Sequence, residues 1–341
     1  MKPLNVLVTA GSRRVPLVRA FQVALRDLAG TGKVVVTDVN PMSPAVHMAD
    51  RFVEVPLASD PGYIDTVLAI ARAERVELVV PTIDDELVAF GAARERFASF
   101  GITVAVSPAE TSAICNDKCR TAAALRAHGV PAAATWRPDE LPDPLQLPLF
   151  IKPRCGRGSV GAYGVNTRRE LEFFLDYVKD PVVQEHLDGP EFTIDMLCDF
   201  SGKPLSIVPR ERVVIRAGVI DRGRTVRDER LIQLAEAVAR ALPFAGPVNI
   251  QCRIDDDVPQ VFEINPRFSG GIPLTIEAGA DFPRMLVRLV RGLPVRPCIG
   301  EFRDGLWMSN YESSVFLEVD RATGRVMPVE TVAALAVGAV A

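Results

Sequence analysis

The stretch NIQCRIDDDVPQVFEINPR, residues 249–267, decides the fold of the carboxyl-terminal half of the chain. Apolar and polar residues alternate on both sides of a run of three aspartates, and this pattern predicts an antiparallel hairpin. Side chains two residues apart lie on the same face of a strand, so Asn249 shares a face with Gln251, and Glu263 with Asn265. Pairing of the two strands would bring these oxygen-bearing side chains to one point.

Such a cluster of amide and carboxylate oxygens suits a magnesium ion that also takes phosphate oxygens as ligands. Pro266 ends the strand pairing and turns the chain, which would place Arg267 beside the metal. A guanidinium there can stabilise a phosphoryl group during its transfer. A hairpin whose polar face is merely solvated is the alternative.

A glycine-rich loop follows the apolar run 149–151, which predicts a strand. Glycine permits unusual backbone angles, and a loop of exposed N–H groups can hold an anion. Lys152, on the strand before the loop, can place a positive charge on the same phosphates. The spacing differs from G-x-x-x-x-G-K-[ST], so this is not a Walker loop, and a flexible hairpin loop is the alternative. The loop contains Gly156, Gly158, Ser159, Gly161 and Gly164.

Two weaker signals accompany the loop. The run 184–187, Gln-Glu-His-Leu, predicts a connector whose backbone can meet an adenine edge, and Glu191 could accept hydrogen bonds from ribose hydroxyls. An exposed strand end is the alternative. Asp117 and Lys118 stand at the head of a helix predicted over 116–127, where they would be unremarkable if taken alone.

Arginines are dense between residues 210 and 230. Arg212 and Arg216 are four residues apart, and the apolar run 213–215 between them predicts a strand on which both share one face. A mobile lid that neutralises an anionic substrate would use such residues. A solvated face is the alternative.

Residues 1–105 alternate short apolar runs with helical patterns, which predicts a doubly wound parallel sheet. Ligands of such sheets bind beyond the carboxyl ends of the strands. The segment 9–12 lacks the G-x-G-x-x-G spacing, so a nicotinamide cofactor is disfavoured, although Asp38 could hold a ribose. The loops at this edge supply candidate contacts to a substrate, namely Arg13, Arg14, Asp84 and Asp85.

The length of 341 residues predicts two or three packed units, and the net charge of -4 does not indicate nucleic acid or an anionic membrane as a partner. No apolar run approaches the ~20 residues of a membrane-spanning helix. Six cysteines without a Cys-x-x-Cys pair are typical of reduced thiols. The composition therefore predicts a cytoplasmic protein.

These motifs, in this order, resemble the ATP-grasp superfamily, in particular one synthetase unit of the carbamoyl-phosphate synthase large subunit and the stand-alone carboxylate–amine ligases. The resemblance implies a mixed α/β and α+β protein in which the parallel sheet is followed by a two-subdomain ATP-grasp fold. It divides the chain into a pre-ATP-grasp domain (1–107), an ATP-grasp domain (108–310) with a glycine-loop subdomain (135–187), and a carboxyl-terminal strand and tail (311–341).

The resemblance also implies a role for each motif. Arg267 and Arg216 would be catalytic. The cofactors would be ATP and Mg²⁺, with Mn²⁺ as an alternative metal. The metal ligands would be Gln251, Glu263 and Asn265. ATP would be bound by Lys118, Lys152, Gly156, Gly158, Ser159, Gly161, Gln184, Glu185, Leu187 and Glu191.

The activity implied is ATP-dependent ligation of a small carboxylate, such as an amino acid, to an amine through an acyl phosphate. The expected partners are these two small molecules and a second copy of the chain, without nucleic acid or membrane. Three alternatives stay open: a component that phosphorylates bicarbonate or carbamate, a non-catalytic nucleotide sensor, and a nicotinamide-dependent oxidoreductase. The first is disfavoured because the chain holds one synthetase unit and has Gly270-Gly271 where a second basic residue is expected.

Overall fold

The computed structural model describes residues 3–329 with the exception of 157, 159 and 217. Its amino-terminal part consists of β1 (Asn5–Val8), α1 (Val15–Ala29), β2 (Val34–Asp38), β3 (Arg51–Glu54), α2 (Tyr63–Ala73), β4 (Val76–Val80), α3 (Asp84–Ala98) and β5 (Thr103–Val104). The five strands form a parallel sheet in the order β3-β2-β1-β4-β5.

Alternate side chains of the central strand β1 enter two separate cores. Val6 and Val8 pack in one core with Phe21 of α1, whereas Leu7 packs in another with Phe90 of α3. Helices therefore cover both faces of the sheet, and this explains why its strands are apolar at nearly every position. The predicted doubly wound sheet is confirmed.

The middle of the chain contains α4 (Ala109–Asn116), α5 (Lys118–Ala127), β6 (Thr135–Trp136), β7 (Leu149–Pro153), β8 (Tyr163–Val165), α6 (Arg168–Tyr177) and β9 (Pro181–Glu185). Its four strands form a smaller antiparallel sheet in the order β6-β9-β7-β8. The sequence predicts one helix over 116–127, but two helices meet there. Asp117 is extended, with φ -102° and ψ 110°, and its side chain caps α5.

The next elements are β10 (Glu191–Cys198), β11 (Pro204–Arg216), β12 (Val219–Thr225), α7 (Glu229–Ala241), β13 (Gly246–Asp255), β14 (Val258–Asn265), α8 (Ile272–Glu277), α9 (Phe282–Val290) and β15 (Trp307–Ser309). Their strands form a six-stranded antiparallel sheet in the order β14-β13-β10-β11-β12-β15. The amphipathic helix α7 buries Leu231, Leu234 and Val238 against this sheet.

The six-stranded sheet and the parallel sheet are joined through a shared core. Phe268, directly after β14, packs edge-on against Phe21 of α1 with ring centroids 6.1 Å apart, and Phe282 and Leu286 of α9 complete the same core. This packing places the segment after β14 at the carboxyl edge of the parallel sheet, where ligands of such sheets bind.

Two further short strands, β16 (Leu317–Val319) and β17 (Val326–Pro328), pair as a separate antiparallel hairpin. The carboxyl-terminal region therefore contains more strand than the single strand that the sequence suggests, and residues 330–341 of the expected tail lie outside the described residues. Within the part of the chain that the structure describes, no helix has the length and apolar character needed to span a bilayer.

Candidate functional site

The hairpin of β13 and β14 aligns the polar residues in the predicted way. Asn249 lies opposite Asn265, and Gln251 lies opposite Glu263. Because directly opposed residues of an antiparallel pair project from the same face, the four side chains gather on one side of the sheet. The predicted hairpin and its shared face are confirmed.

The donor set of this cluster fits a divalent cation of the magnesium type. The Asn265 Nδ2 donates to Glu263 Oε1 at 2.9 Å, so two of the predicted ligands are held together. The Asn249 Oδ1 is buried and has no hydrogen-bond partner among the described residues. An unsatisfied buried acceptor costs about 1–3 kcal/mol, and a bound cation would offset that cost.

The site is amide-rich, with one carboxylate. No group of three or more His, Cys, Asp or Glu side chains suited to a metal occurs within the described ranges. Mg²⁺ that shares its coordination with substrate phosphates needs only one or two carboxylates from the protein. Asn249 joins the predicted ligands as a candidate that the sequence placed on the same face but not in the metal set.

A cleft lies between the four-stranded and the six-stranded sheets, beside this cluster. Most of the residues that the ATP-grasp resemblance assigns to nucleotide or metal lie on its wall. Those that line it are Lys118, Lys152, Gly156, Gln184, Glu185, Leu187, Glu191, Gln251 and Glu263.

Lys152 is a buried cation whose ammonium faces the cleft. Its Nζ donates to Gln184 Oε1 at 2.7 Å, and Gln184 is held in turn by a hydrogen bond from its Nε2 to Thr135 Oγ1 at 2.8 Å. Burial lowers the pKa of Lys152 to about 8, opposed by the negative charge of Glu263 and assisted by the positive charge of Lys118. Phosphate oxygens would supply the counter-charge that this lysine lacks.

Lys118 reaches the cleft because Asp117 fixes the start of α5. The Asp117 carboxylate accepts from the backbone N–H groups of Cys119 and Arg120, and it pairs with Arg154 Nη2 at 2.6 Å. Although partial burial opposes the charge, the hydrogen bonds from Arg154 lower the pKa of Asp117. Lys118 Nζ donates to Gly156 O at 3.2 Å, so the first lysine touches the base of the glycine loop.

The glycine loop uses conformations that other residues rarely adopt. Gly156, Gly158 and Gly161 have φ values of 141°, 66° and 73°. A Cβ at Gly161 would also lie only 3.1 Å from the ring of Pro153. Gly156 lines the cleft, whereas Gly158 and Gly161 belong to the part of the loop beyond it. Ser159 lies outside the described residues.

The cleft also has an apolar lining. Phe150 of β7 and Phe262 of β14 contribute to it and are suited to contact a planar base, but neither was among the predicted site residues. The Glu185 Oε1 accepts from the backbone N–H of Ala134 at 2.7 Å, so this carboxylate anchors the connector as well as facing the cleft.

Two arginines that the nucleotide motifs did not include, Arg212 and Arg253, also line the cleft and ion-pair with Glu191. Arg212 belonged to the predicted lid stretch. A signal was available for Arg253, because it stands two residues beyond Gln251 on the same strand and shares its face.

The Asn-Pro-Arg segment meets the amino-terminal sheet just beyond the cleft. Arg267 donates to Asp84 Oδ2 from Nη2 at 2.8 Å and from Nε at 3.1 Å. Arg14 donates from Nη1 to Ser269 O at 2.7 Å and from Nη2 to Thr82 O at 3.0 Å. Burial and the neighbouring Arg267 lower the pKa of Arg14 to about 9. Two loops at the carboxyl edge of the parallel sheet therefore contact the segment that follows β14.

Other predicted contacts are placed elsewhere. Arg216 lies at the exposed end of β11 and ion-pairs with Glu312, outside the cleft wall. The Asp38 carboxylate accepts from the backbone N–H groups of Ser12 at 2.6 Å and Asn40 at 2.9 Å. It thus orders the first loop of the parallel sheet, and this accounts for its position without a ribose.

Two family models match the chain. Residues 178–313 match one described as "ATP-grasp in the biosynthetic pathway with Ter operon", and residues 6–105 match one described as "PylC-like, N-terminal domain". Their ranges cover the six-stranded sheet and the parallel sheet.

Curated relatives include two kinds of protein. The carbamoyl phosphate synthase large chain of Thermoanaerobacter sp. (strain X514) is 28% identical over 183 residues, which are 48% of this chain and 16% of that relative. The 3-methyl-D-ornithine–L-lysine ligase of Methanosarcina mazei is 22% identical over 281 residues, or 80% of this chain and 70% of the relative. The chain thus spans only a small part of the carbamoyl phosphate synthase large chains.

Solved structures share the fold at low identity. A biotin carboxylase of Campylobacter jejuni superposes with a TM-score of 0.68 and 16% identity, over 89% of this chain and 74% of that one. An L-amino acid ligase of Bacillus licheniformis superposes with a TM-score of 0.64 and 21% identity, over 86% and 78%. The chain therefore matches an ATP-grasp family model over residues 178–313 and a PylC-like amino-terminal domain over residues 6–105, and it shares its fold with these solved structures over most of its length.

Proposed function

We propose that the protein is an ATP-dependent ligase that activates a small carboxylate, such as an amino acid, as an acyl phosphate and joins it to an amine. The observation that carries this proposal is the wall of the cleft. Two lysines from separate segments, Lys118 and Lys152, line the same cleft as Gln251 and Glu263. Residues 1–107 would serve the acceptor side and residues 108–310 the nucleotide.

The cation would be Mg²⁺, held by Gln251, Glu263 and Asn265, with the amide oxygen of Asn249 beside them. When bound, it would neutralise phosphate oxygens of ATP. The lysines would hold the same phosphates, and the backbone N–H groups of the glycine loop would close over them.

The acid would bind where Arg267 and Arg14 meet at the junction of the two halves. A carboxylate oxygen attacks the γ-phosphorus, the bond to the bridging β,γ-oxygen breaks, and ADP leaves. The amine nitrogen then attacks the acyl carbon, inorganic phosphate leaves, and the nitrogen loses a proton. Arg267 would stabilise the charge on the transferring phosphoryl group, and no covalent enzyme intermediate is required.

Two of the similar proteins support an amino acid as the acid. One is named a 3-methyl-D-ornithine–L-lysine ligase and another an L-amino acid ligase. The carbamoyl phosphate synthase relatives favour a second candidate, phosphorylation of bicarbonate.

The test is Mg²⁺-dependent release of ADP from ATP in the presence of pooled amino acids, other small carboxylates and bicarbonate, with hydroxylamine to trap an acyl phosphate. Release stimulated by one acid, together with its hydroxamate, is the expected result. Stimulation by bicarbonate alone would favour the second candidate. ATP binding without stimulation by any acid would contradict both.

The matched variant for this assay is Glu263→Gln, which keeps the size of the side chain but removes its charge. We expect acid-stimulated ADP release to fall by about 10²-fold or more, since the metal would lose its one carboxylate ligand. The thermal melting of the variant should stay close to that of the wild type. Near-normal turnover would remove Glu263 from the metal site.

A further inference from the structure

Glu191 is held by an arginine on each side. It begins β10, which lies between β11 and β13 in the six-stranded sheet. Its Oε1 accepts from Arg212 Nη1 at 2.5 Å, and its Oε2 accepts from Arg253 Nη2 at 2.9 Å. Arg253 is the residue directly opposite Glu191 on β13. The carboxylate therefore has one arginine on each of its two oxygens.

Each arginine is itself anchored to the backbone. Arg212 Nη2 donates to Gly218 O at 2.8 Å, and Arg253 Nη1 donates to Gly189 O at 2.8 Å. The side chains of Glu191 and Arg212 are only 12% and 7% exposed, so neither can swing into solvent without leaving its partner. Rotation of the Glu191 carboxylate is opposed from both sides.

The arrangement leaves acceptor capacity on Glu191. An ionised carboxylate has about four lone-pair sites, and the two arginine hydrogen bonds occupy two of them. The two guanidinium groups also offset part of the desolvation of this largely buried carboxylate, and hydrogen bonds to a carboxylate are among the stronger ones in proteins. Glu191, Arg212 and Arg253 all line the cleft.

We propose that Arg212 and Arg253 are positioning residues that fix the Glu191 carboxylate to accept from the ribose hydroxyls of ATP, so that the cleft selects ribonucleotides over 2′-deoxyribonucleotides. This inference rests on the proposed function only in that ATP occupies the cleft; it does not depend on the acid or the amine. A carboxylate oriented before the nucleotide arrives loses little conformational freedom on binding, which strengthens its selectivity.

The test compares the dissociation constants of Mg²⁺-ATP and Mg²⁺-2′-deoxy-ATP, measured by titration calorimetry on the full chain. The wild type is expected to bind ATP about tenfold or more tightly, the loss expected when one hydrogen bond to a charged acceptor is removed. In Arg253→Gln and Arg212→Gln the ratio of the two constants should fall toward one. The ratio of the two dissociation constants is the informative quantity, because a general loss of stability would weaken the binding of both nucleotides alike.

Two further variants distinguish a specific effect on nucleotide selection from misfolding. Arg253→Lys keeps the charge but cannot bond to Glu191 and Gly189 with the same planar fork, so it should fold normally and give an intermediate ratio. Arg224→Gln is the matched control. Arg224 pairs with Glu211 at 2.7 Å on the same sheet, and its side chain is 45% exposed. Because Arg224 does not line the cleft, the ratio of the two dissociation constants in this variant should equal that of the wild type.

Several outcomes would overturn the inference. A wild type that binds the two nucleotides equally, or glutamine variants that keep a ratio above about ten, would remove the arginines from ribose selection. Tighter ATP binding in the glutamine variants would mean that the arginines block Glu191. A wild type that binds neither nucleotide would contradict the proposed function itself, and with it the role of Arg212 and Arg253 in positioning Glu191.

Discussion

At the scale of the residue, the buried ammonium of Lys152 connects nucleotide binding with the pH dependence of stability. Its pKa is lowered from 10.5 to about 8 by burial. Below pH 8 Lys152 is protonated in both the folded and the unfolded chain, so the folded state bears the full free-energy cost of a buried ammonium. Between pH 8 and about 10.4 the folded chain has lost the proton and the unfolded chain has not, so this cost declines as the pH rises.

We therefore expect Lys152→Met to be more stable than the wild type at pH 7, and the difference in melting temperature to narrow at pH 9. The same variant should bind ATP at least tenfold more weakly, because a charged donor to phosphate is lost. Lys203→Met, at an exposed position, is the control. A stability difference that is identical at both pH values, or unchanged ATP affinity, would contradict the assignment.

At the scale of the element, the boundary between α4 and α5 positions Lys118 at the cleft. Asp117 both caps α5 and pairs with Arg154, which follows β7.

Asp117→Ala should cost about 1–2 kcal/mol of stability through the lost cap, and it should raise the Michaelis constant for ATP because the position of Lys118 is no longer fixed. Asp117→Asn keeps a capping oxygen and should cost less stability. Chemical denaturation and initial rates would measure both effects, and an unchanged Michaelis constant in the alanine variant would argue against a role for this helix start.

At the scale of the whole molecule, Arg14 joins the two halves of the chain. It donates to a carbonyl on each side, Thr82 O and Ser269 O, whereas its neighbour Arg267 has a carboxylate partner in Asp84. No carboxylate among the described residues pairs with Arg14 in the same way. We expect Arg14→Gln to raise the Michaelis constant for the acid by about tenfold or more while leaving that for ATP nearly unchanged. An equal rise in both constants would indicate that Arg14 only holds the halves together.

Local patterns in the sequence determined much of the fold and part of the site. The alternation around residues 249–267 specified a hairpin and its polar face, because side-chain direction on a strand depends only on position along it. The continuous apolar runs 34–36 and 78–80 specified strands covered on both faces. The glycine loop could be located for a similar reason, since positive φ values at Gly156 and Gly161 favour glycine whatever the surroundings.

Only the tertiary structure decided which distant residues became partners. Arg253 meets Glu191 because β13 pairs with β10 in one register, and Arg14 meets Ser269 because the parallel sheet and the segment after β14 share a core. Such pairs join residues that are 62 and 255 positions apart. Local sequence periodicity does not predict these pairs, because strand register and the docking of the two halves follow from the packing of the entire chain.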